Sequence, residues 1–392
     1  MAIVAKCRAP SHVRIDASYM PEVFPLSGIR VFEFGSNLAG PYAGWILAQM
    51  GADVVKIERP EGDDARGWGP PFWNGAATLF HTVNRDKKSV SIDLKDPAAV
   101  AELRARIVSE GDVVLQNLRP GVAGELGFSA ESLAIENPRL IYCNLHAFGA
   151  VGPLKRHPGY DTLIQAFSGI MSVTGEEAGP PVRAGVSVID MGTGMWCVIA
   201  ILGALFRRTS TGKGCIIDAS LYETALGWMT LHSTALQASG ELPLRYATAA
   251  RGIVPYQGYP CSDGMLIIAA SNDRLFAKLA RALGHPEWAE DDRFRTNPQR
   301  VAHRQIVNGL LEGVLTTATR AEWQVKLDAV GVPNSPVLYM NEVLAHPQTA
   351  ALGMLQDTGD GKMKLFGLPF SMDGERPTMR NLAPKLGADN GN

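Results

Sequence analysis

The sequence is short of cysteine, of net charge and of long apolar runs. Its five cysteines, Cys7, Cys143, Cys197, Cys215 and Cys261, stand far apart and form no C-x-x-C pair. That spacing supports neither a disulfide framework nor a zinc ribbon, and it points to a reducing, cytoplasmic setting. Lys and Arg number 37 against 39 Asp and Glu, a formal net charge of −2. No global basic surface is available for nucleic acid or an anionic membrane. The most apolar stretch, residues 191–206, is shorter than the roughly 20 residues a spanning helix needs, and it reads as a buried core helix. Residues 1–24 lack an apolar signal core and read as an N-terminal arm. The eight histidines show no paired ligand spacing, so no metal site is expected. Neither G-x-x-x-x-G-K-[ST] nor G-x-S-x-G occurs, which leaves P-loop and nucleophile-elbow chemistry without support.

Glycine, in contrast, is abundant: 41 of 392 residues, about 10% against a usual ~7%. Much of it punctuates strand–helix alternation. Residues 29–34 form an apolar strand run, Gly35–Gly40 a turn, 41–50 a helix with Pro41 in its first turn, and 52–57 a second strand. A βαβ unit of this kind implies a parallel sheet with right-handed crossovers. Residues 89–94, 113–116 and 140–145 read as further strands, and 96–110 as a helix capped by Asp96. From about residue 227 the texture becomes α+β, with strands near 256–259 and 264–270 and helices near 273–283, 300–316 and 320–330. The fold class is therefore α/β, a Rossmann-like parallel-sheet large domain with a smaller α+β domain. The expected division is an arm (1–24), a large domain (25–226, completed by 340–392) and a small domain (227–339).

The Gly35–Gly40 turn is not G-x-G-x-x-G, so its resemblance to a dinucleotide turn is weak. Carboxylate chemistry is what remains. Asp161 follows a Pro-Gly turn and opens an apolar helical stretch. An Asp there reads as an N-cap, and a helix N-terminus also keeps a carboxylate charged, which serves a nucleophile equally well.

Several segments in order resemble the class III CoA-transferases, the CaiB/BaiF family of the formyl-CoA and carnitine-CoA transferase type. They are Leu26-Ser27-Gly28-Ile29-Arg30-Val31, Ala39-Gly40-Pro41, Gly51-Ala52-Asp53-Val54-Val55-Lys56-Ile57-Glu58, Asn84 with Lys87-Lys88-Ser89, and Asn117-Leu118-Arg119-Pro120-Gly121. Gly159-Tyr160-Asp161, Gly179-Pro180-Pro181, Thr211-Gly212-Lys213-Gly214 and Asp292-Arg293-Phe294 continue the series. The resemblance implies an enzyme that moves CoA from an acyl-CoA thioester to a free carboxylic acid. Asp161 would carry first an anhydride and then an aspartyl-CoA thioester. It implies coenzyme A or acyl-CoA as substrate, with no tightly bound cofactor. Asn37, Leu38, Arg59, Lys87, Asn117 and His146 would line the CoA site, and the chains would form an interlocked homodimer.

Three departures from the family pattern stand out. Leu38 replaces the Gln of the formyl-CoA enzyme, His146 replaces its Lys, and residues 249–255 are not glycine-rich. Small dicarboxylates and carnitine-like acids both remain open as acceptors. The alternatives are the 2-methylacyl-CoA racemase branch, which resembles Gly-His-Asp where this chain has Gly159-Tyr160-Asp161, and a CoA-binding protein without transferase activity.

Overall fold

The computed structural model describes residues 24–391; the expected N-terminal arm, apart from Phe24, and Cys7 lie outside the described residues. The chain divides into two compact units. One comprises the residues up to Pro158, Asp190–Ser220 and the tail from Gly367. The other comprises Gly159–Ile189 and Leu221–Phe366. The segment around Asp161 thus groups with the second unit, and the tail rejoins the first later than the 340 expected from sequence.

The first unit is built on six strands: β1 (Arg30–Phe34), β2 (Asp53–Glu58), β3 (Lys88–Ser91), β4 (Val113–Gln116), β5 (Ile141–His146) and β6 (Cys215–Ser220). They lie in the order β3-β2-β1-β4-β5-β6, and every pairing is parallel. Consecutive strands run outward from β1 in one direction, and then the order reverses between β1 and β4. That reversal opens a crevice at the carboxyl ends of the two strands. The inner strands β1, β2, β4 and β5 are largely buried, as a sheet covered on both faces requires, whereas the edge strands β3 (KSVS) and β6 are more polar or more exposed. Phe32, Val55, Val114, Leu103, Ile107 and Leu133 form one buried layer. Helix α1 (Ala39–Gln49) connects β1 to β2, and α2 (Pro97–Glu110) connects β3 to β4. Asp96 caps α2 by accepting from the Ala98 N–H, as its Asp-Pro sequence predicts.

The tail returns to the outer edge of this sheet. The Ser89 N–H donates to Asp389 Oδ2 at 2.8 Å, the Asp389 N–H donates to Ser89 O at 3.0 Å, and the Ser91 N–H donates to Asn390 Oδ1 at 2.8 Å. The strand β3 is therefore an edge whose free N–H groups are met by residues near the other end of the chain.

Residues 191–206 fall in a long helix, Val188–Thr211. By length and composition this helix could cross a membrane, yet its apolar residues divide between faces. Ile189, Cys197, Val198 and Ile201 are buried, whereas Met195, Trp196, Ile199 and Phe206 are exposed. The expected core helix is thus buried on one side only.

The second unit contains an antiparallel sheet of β7 (Tyr256–Cys261), β8 (Gly264–Ala269) and β9 (Asn334–Pro336). Helices Asp273–Ala282, Arg304–Leu315 and Arg320–Ala329 accompany it, and their apolar faces share one core of Leu266, Ile268, Phe276, Leu311, Trp323 and Leu327. The helix expected over 300–316 is interrupted at His303, which separates Asn297–Ala302 from Arg304–Leu315.

Candidate active site

In the first unit, the turn from Gly35 to Pro41 closes the carboxyl end of β1 beside the crevice. Its backbone is held at several points by side chains. Asn117, at the end of β4, accepts from the Ser36 N–H at 2.8 Å and donates back to Ser36 O at 2.9 Å. Asn37 takes φ of +68°, a left-handed conformation that Asn tolerates better than most residues. Its N–H donates to Asp63 Oδ1 at 3.1 Å. Gly40 approaches so closely that a Cβ would lie 3.1 Å from Gly35 Cα and 3.3 Å from Asn117 Cγ. Leu38 precedes α1 and supplies no side-chain cap, and the first residues of that helix, Ala39, Gly40 and Pro41, are buried.

Beneath this turn lies a buried ionic group. Lys56 Nζ donates to Gly35 O at 2.5 Å and pairs with Glu33 at 3.2 Å and Asp63 at 2.9 Å. Lys87 Nζ pairs with Glu33 at 2.7 Å and donates to Pro41 O at 2.8 Å and Asn84 Oδ1 at 2.9 Å. Two cations and two carboxylates thus cancel one another out of water. Gly44 makes room for them: a Cβ there would lie 1.8 Å from Glu33 Oε2. Burial pushes the Lys87 ammonium down to about 8, although Glu33 partly opposes the shift. Burial would lower Lys56 too, but Glu33, Asp63 and Glu58 together raise it. Glu58 adjoins this group: it accepts from Arg66 at 2.7 and 2.8 Å and from Ser89 Oγ at 2.7 Å. Burial alone would raise its carboxyl, yet Arg66, Lys56 and Ser89 outweigh that and bring it to about 2.

Lys87 is therefore turned inward, its ammonium directed at three internal acceptors rather than at a ligand phosphate. Arg59 is exposed, donating to Gly62 O at 3.0 Å and pairing with Asp64. His146, at the end of β5, meets Asp218 at 2.9 Å through Nε2, and Asn144 donates to the same carboxylate oxygen at 3.0 Å. Asn37, Leu38, Lys87 and Asn117 converge on one turn, and Arg59 belongs to the loop that supplies Asp63. His146 stands two strands away from β1. A cleft of about 450 Å3 against Arg30, Leu103, Arg106 and Glu110 is lined by none of these residues.

Asp161 belongs to the second unit. It does not cap the helix Asp161–Phe167; Tyr160 holds the cap position, without a side-chain bond, and Asp161 is the first helical residue. Its side chain turns into the protein and is only 5% exposed. Oδ2 accepts from the Ile189 N–H at 2.8 Å, and Oδ1 accepts from Gln165 Nε2 at 2.6 Å. Gln165 is fully buried and reaches the other way as well, its Oε1 accepting from the Ala184 N–H at 2.9 Å. Beside it, Arg183 donates to Thr162 Oγ1 at 3.0 Å and to Gly185 O at 3.2 Å. The sequence reading did not single out Gln165, although its position four residues after Asp161 puts both on one helix face.

Comparison with known proteins agrees with this architecture. The family model for CoA-transferase family III matches residues 26–390. The chain is 40% identical over 340 residues to the succinate–glutarate CoA-transferase of Agrobacterium fabrum, covering 85% of each. It is 38% identical over 365 residues to the acetyl-CoA:oxalate CoA-transferase of Acetobacter aceti, covering 92% of this chain and 93% of the relative. The crystal structure of a CaiB/BaiF family protein from Brucella suis superposes with a TM-score of 0.85 at 40% identity, covering 93% of this chain and 97% of the other. The mixed α/β fold with a central parallel sheet is that of this family, and CoA thioesters are the substrates of its transferases. The chain belongs to CoA-transferase family III, the CaiB/BaiF family, and is an enzyme that transfers coenzyme A between carboxylic acids.

Proposed function

We propose that transfer proceeds through Asp161 and that the acids exchanged are short dicarboxylic acids. The observation that carries the first part is the setting of the Asp161 carboxylate, with one oxygen on the Ile189 N–H and the other on Gln165. One oxygen attacks the thioester carbonyl of the donor, the C–S bond breaks, and a mixed anhydride forms with release of CoA thiolate. The thiolate then attacks the Asp161 carbonyl carbon, expelling the donor acid as its carboxylate and leaving an aspartyl-CoA thioester. The acceptor carboxylate repeats the first exchange in reverse order: it displaces the thiolate, which attacks the acceptor carbonyl and frees Asp161. No proton is consumed or released over the cycle.

Negative charge builds on an Asp161 oxygen in each step at its carbonyl. The Ile189 N–H and Gln165 amide are the preorganised donors for it, each already within hydrogen-bond distance. The names of the relatives support the acid class, since succinate, glutarate and oxalate are all dicarboxylic acids. In the crevice, Asn37 Oδ1 is buried without a hydrogen-bond partner among the described residues. That acceptor and exposed Arg59 support placing CoA there, with Asn117 fixing the turn. His146 and Lys87 are engaged by partners of their own, Asp218 and Glu33. The exposed apolar residues Trp196, Ile199 and Phe206 on one helix support an interlocked homodimer. The isolated cysteines support a cytoplasmic location.

The test is chemical capture. Incubation with succinyl-CoA and then hydroxylamine should leave a hydroxamate on Asp161, located by peptide mass spectrometry. Asp161→Asn should abolish it and reduce transfer by roughly 10⁴-fold or more. An unlabelled Asp161, with exchange of the substrate α-proton in deuterated water, would favour racemisation instead.

A further inference from the structure

We infer that Arg183 binds the second carboxylate of the dicarboxylic acid, and so selects diacids over monoacids. The inference rests on the reading of Asp161 as nucleophile. Arg183 is exposed and is anchored only through neutral oxygens, the Thr162 hydroxyl and the Gly185 carbonyl. No ion pair among the described residues includes it. A guanidinium carries five N–H donors in a fixed plane. Two are used in these bonds, and the remainder, with the full positive charge, face no carboxylate of the second unit. Two other arginines of that unit are differently occupied. Arg245 spends its fork on the carbonyls of Glu176, Glu177 and Gly179, and Arg251 pairs with Glu241.

Its position is tied to the nucleophile by a closed ring of contacts. Gln165 holds Asp161 with its amide nitrogen and the Ala184 N–H with its amide oxygen. Arg183, next to Ala184, reaches back to Thr162, next to Asp161. A single buried glutamine therefore fixes both the reacting carboxylate and the segment that carries the cation. When the acceptor attacks an aspartyl-CoA thioester, one of its carboxylates must lie at the Asp161 carbonyl. A diacid then has a second carboxylate to place nearby. The planar fork of Arg183 suits that group, because arginine binds carboxylates bidentately. A monoacid of equal length offers it only a methyl group.

The experiment measures kcat/KM for succinate and glutarate against butyrate and pentanoate, with one acyl-CoA donor throughout, in the full-length enzyme. Arg183→Met should lower the diacid-to-monoacid ratio by about 100-fold, through KM for the diacid with kcat little changed. Arg183→Lys should restore part of that ratio, and the thermal midpoints of both variants should match the parent. An unchanged ratio, an equal loss for both acid types, or a Lys variant no better than Met would overturn the inference. Hydroxylamine capture at Asp161 in the parent enzyme is run alongside. Its absence would refute the nucleophile reading, whereas its presence with an unchanged ratio would refute Arg183 alone.

Discussion

Two of the buried carboxylate settings among the described residues are built on opposite plans. Under the Gly35–Pro41 turn, Glu33 and Asp63 face Lys56 and Lys87, and the charges cancel within one dry cluster. At Asp161, two neutral donors, a backbone N–H and an amide, hold the carboxylate oxygens. A carboxylate clamped between ammonium groups gives up its electron density to them and makes a rigid strut. Held by neutral donors it is oriented yet remains able to attack, and the same donors can follow the charge as it moves onto a carbonyl oxygen. On the reading proposed for Asp161, the first arrangement serves shape and the second serves reaction.

The comparison can be broken most severely at Lys87. Lys87→Met leaves Glu33 buried with half its compensation gone, and should cost about 3–5 kcal/mol in urea unfolding. Adding Glu33→Gln should return much of that loss. A single variant as stable as the parent would mean that the cluster is not a strut. Next is acid. Glu58 titrates at about 2 in the folded protein, below its ordinary 4.5. Its contribution is therefore complete above pH 4.5 and is lost as pH falls towards 2. The difference is on the order of 3 kcal/mol, and stability curves of the parent and Glu58→Gln should converge across that window. The smallest effect sharpens the other side. Gln165→Leu should lower kcat about 100-fold by removing one donor to Asp161, while the affinity for free CoA by calorimetry stays within about twofold. A variant that loses CoA affinity instead would make Gln165 part of the shape rather than the reaction.

Much of the first unit could be read from the sequence because its strands are short apolar runs bounded by Gly and Pro, and because Asp96-Pro97 is a self-sufficient cap. Without the family resemblance, Asp161 was legible as a residue of interest but not as cap or nucleophile. A Pro-Gly turn before an apolar helix looks the same whether the Asp caps the helix or turns inward, and the deciding partner, the Ile189 N–H, is 28 residues away. Lys87, which the resemblance put against CoA, carried no local sign of its burial, because burial of a lysine depends on counter-charges from other strands. The signal for those was present: Glu33 and Lys56 each interrupt an apolar strand run, and parallel pairing sets them in register. The exposed side of the helix Val188–Thr211 was not legible at all, since an apolar helix carries no mark of which face its own chain covers.

The return of the tail to β3 also sets a schedule. Ser89 meets Asp389 across 300 residues of chain, and at 5–20 residues per second a ribosome needs roughly 15–60 s to supply the second after the first. Throughout that interval the sheet has an open flank able to recruit a neighbouring nascent chain. Trimming residues 387–390 would make that interval permanent.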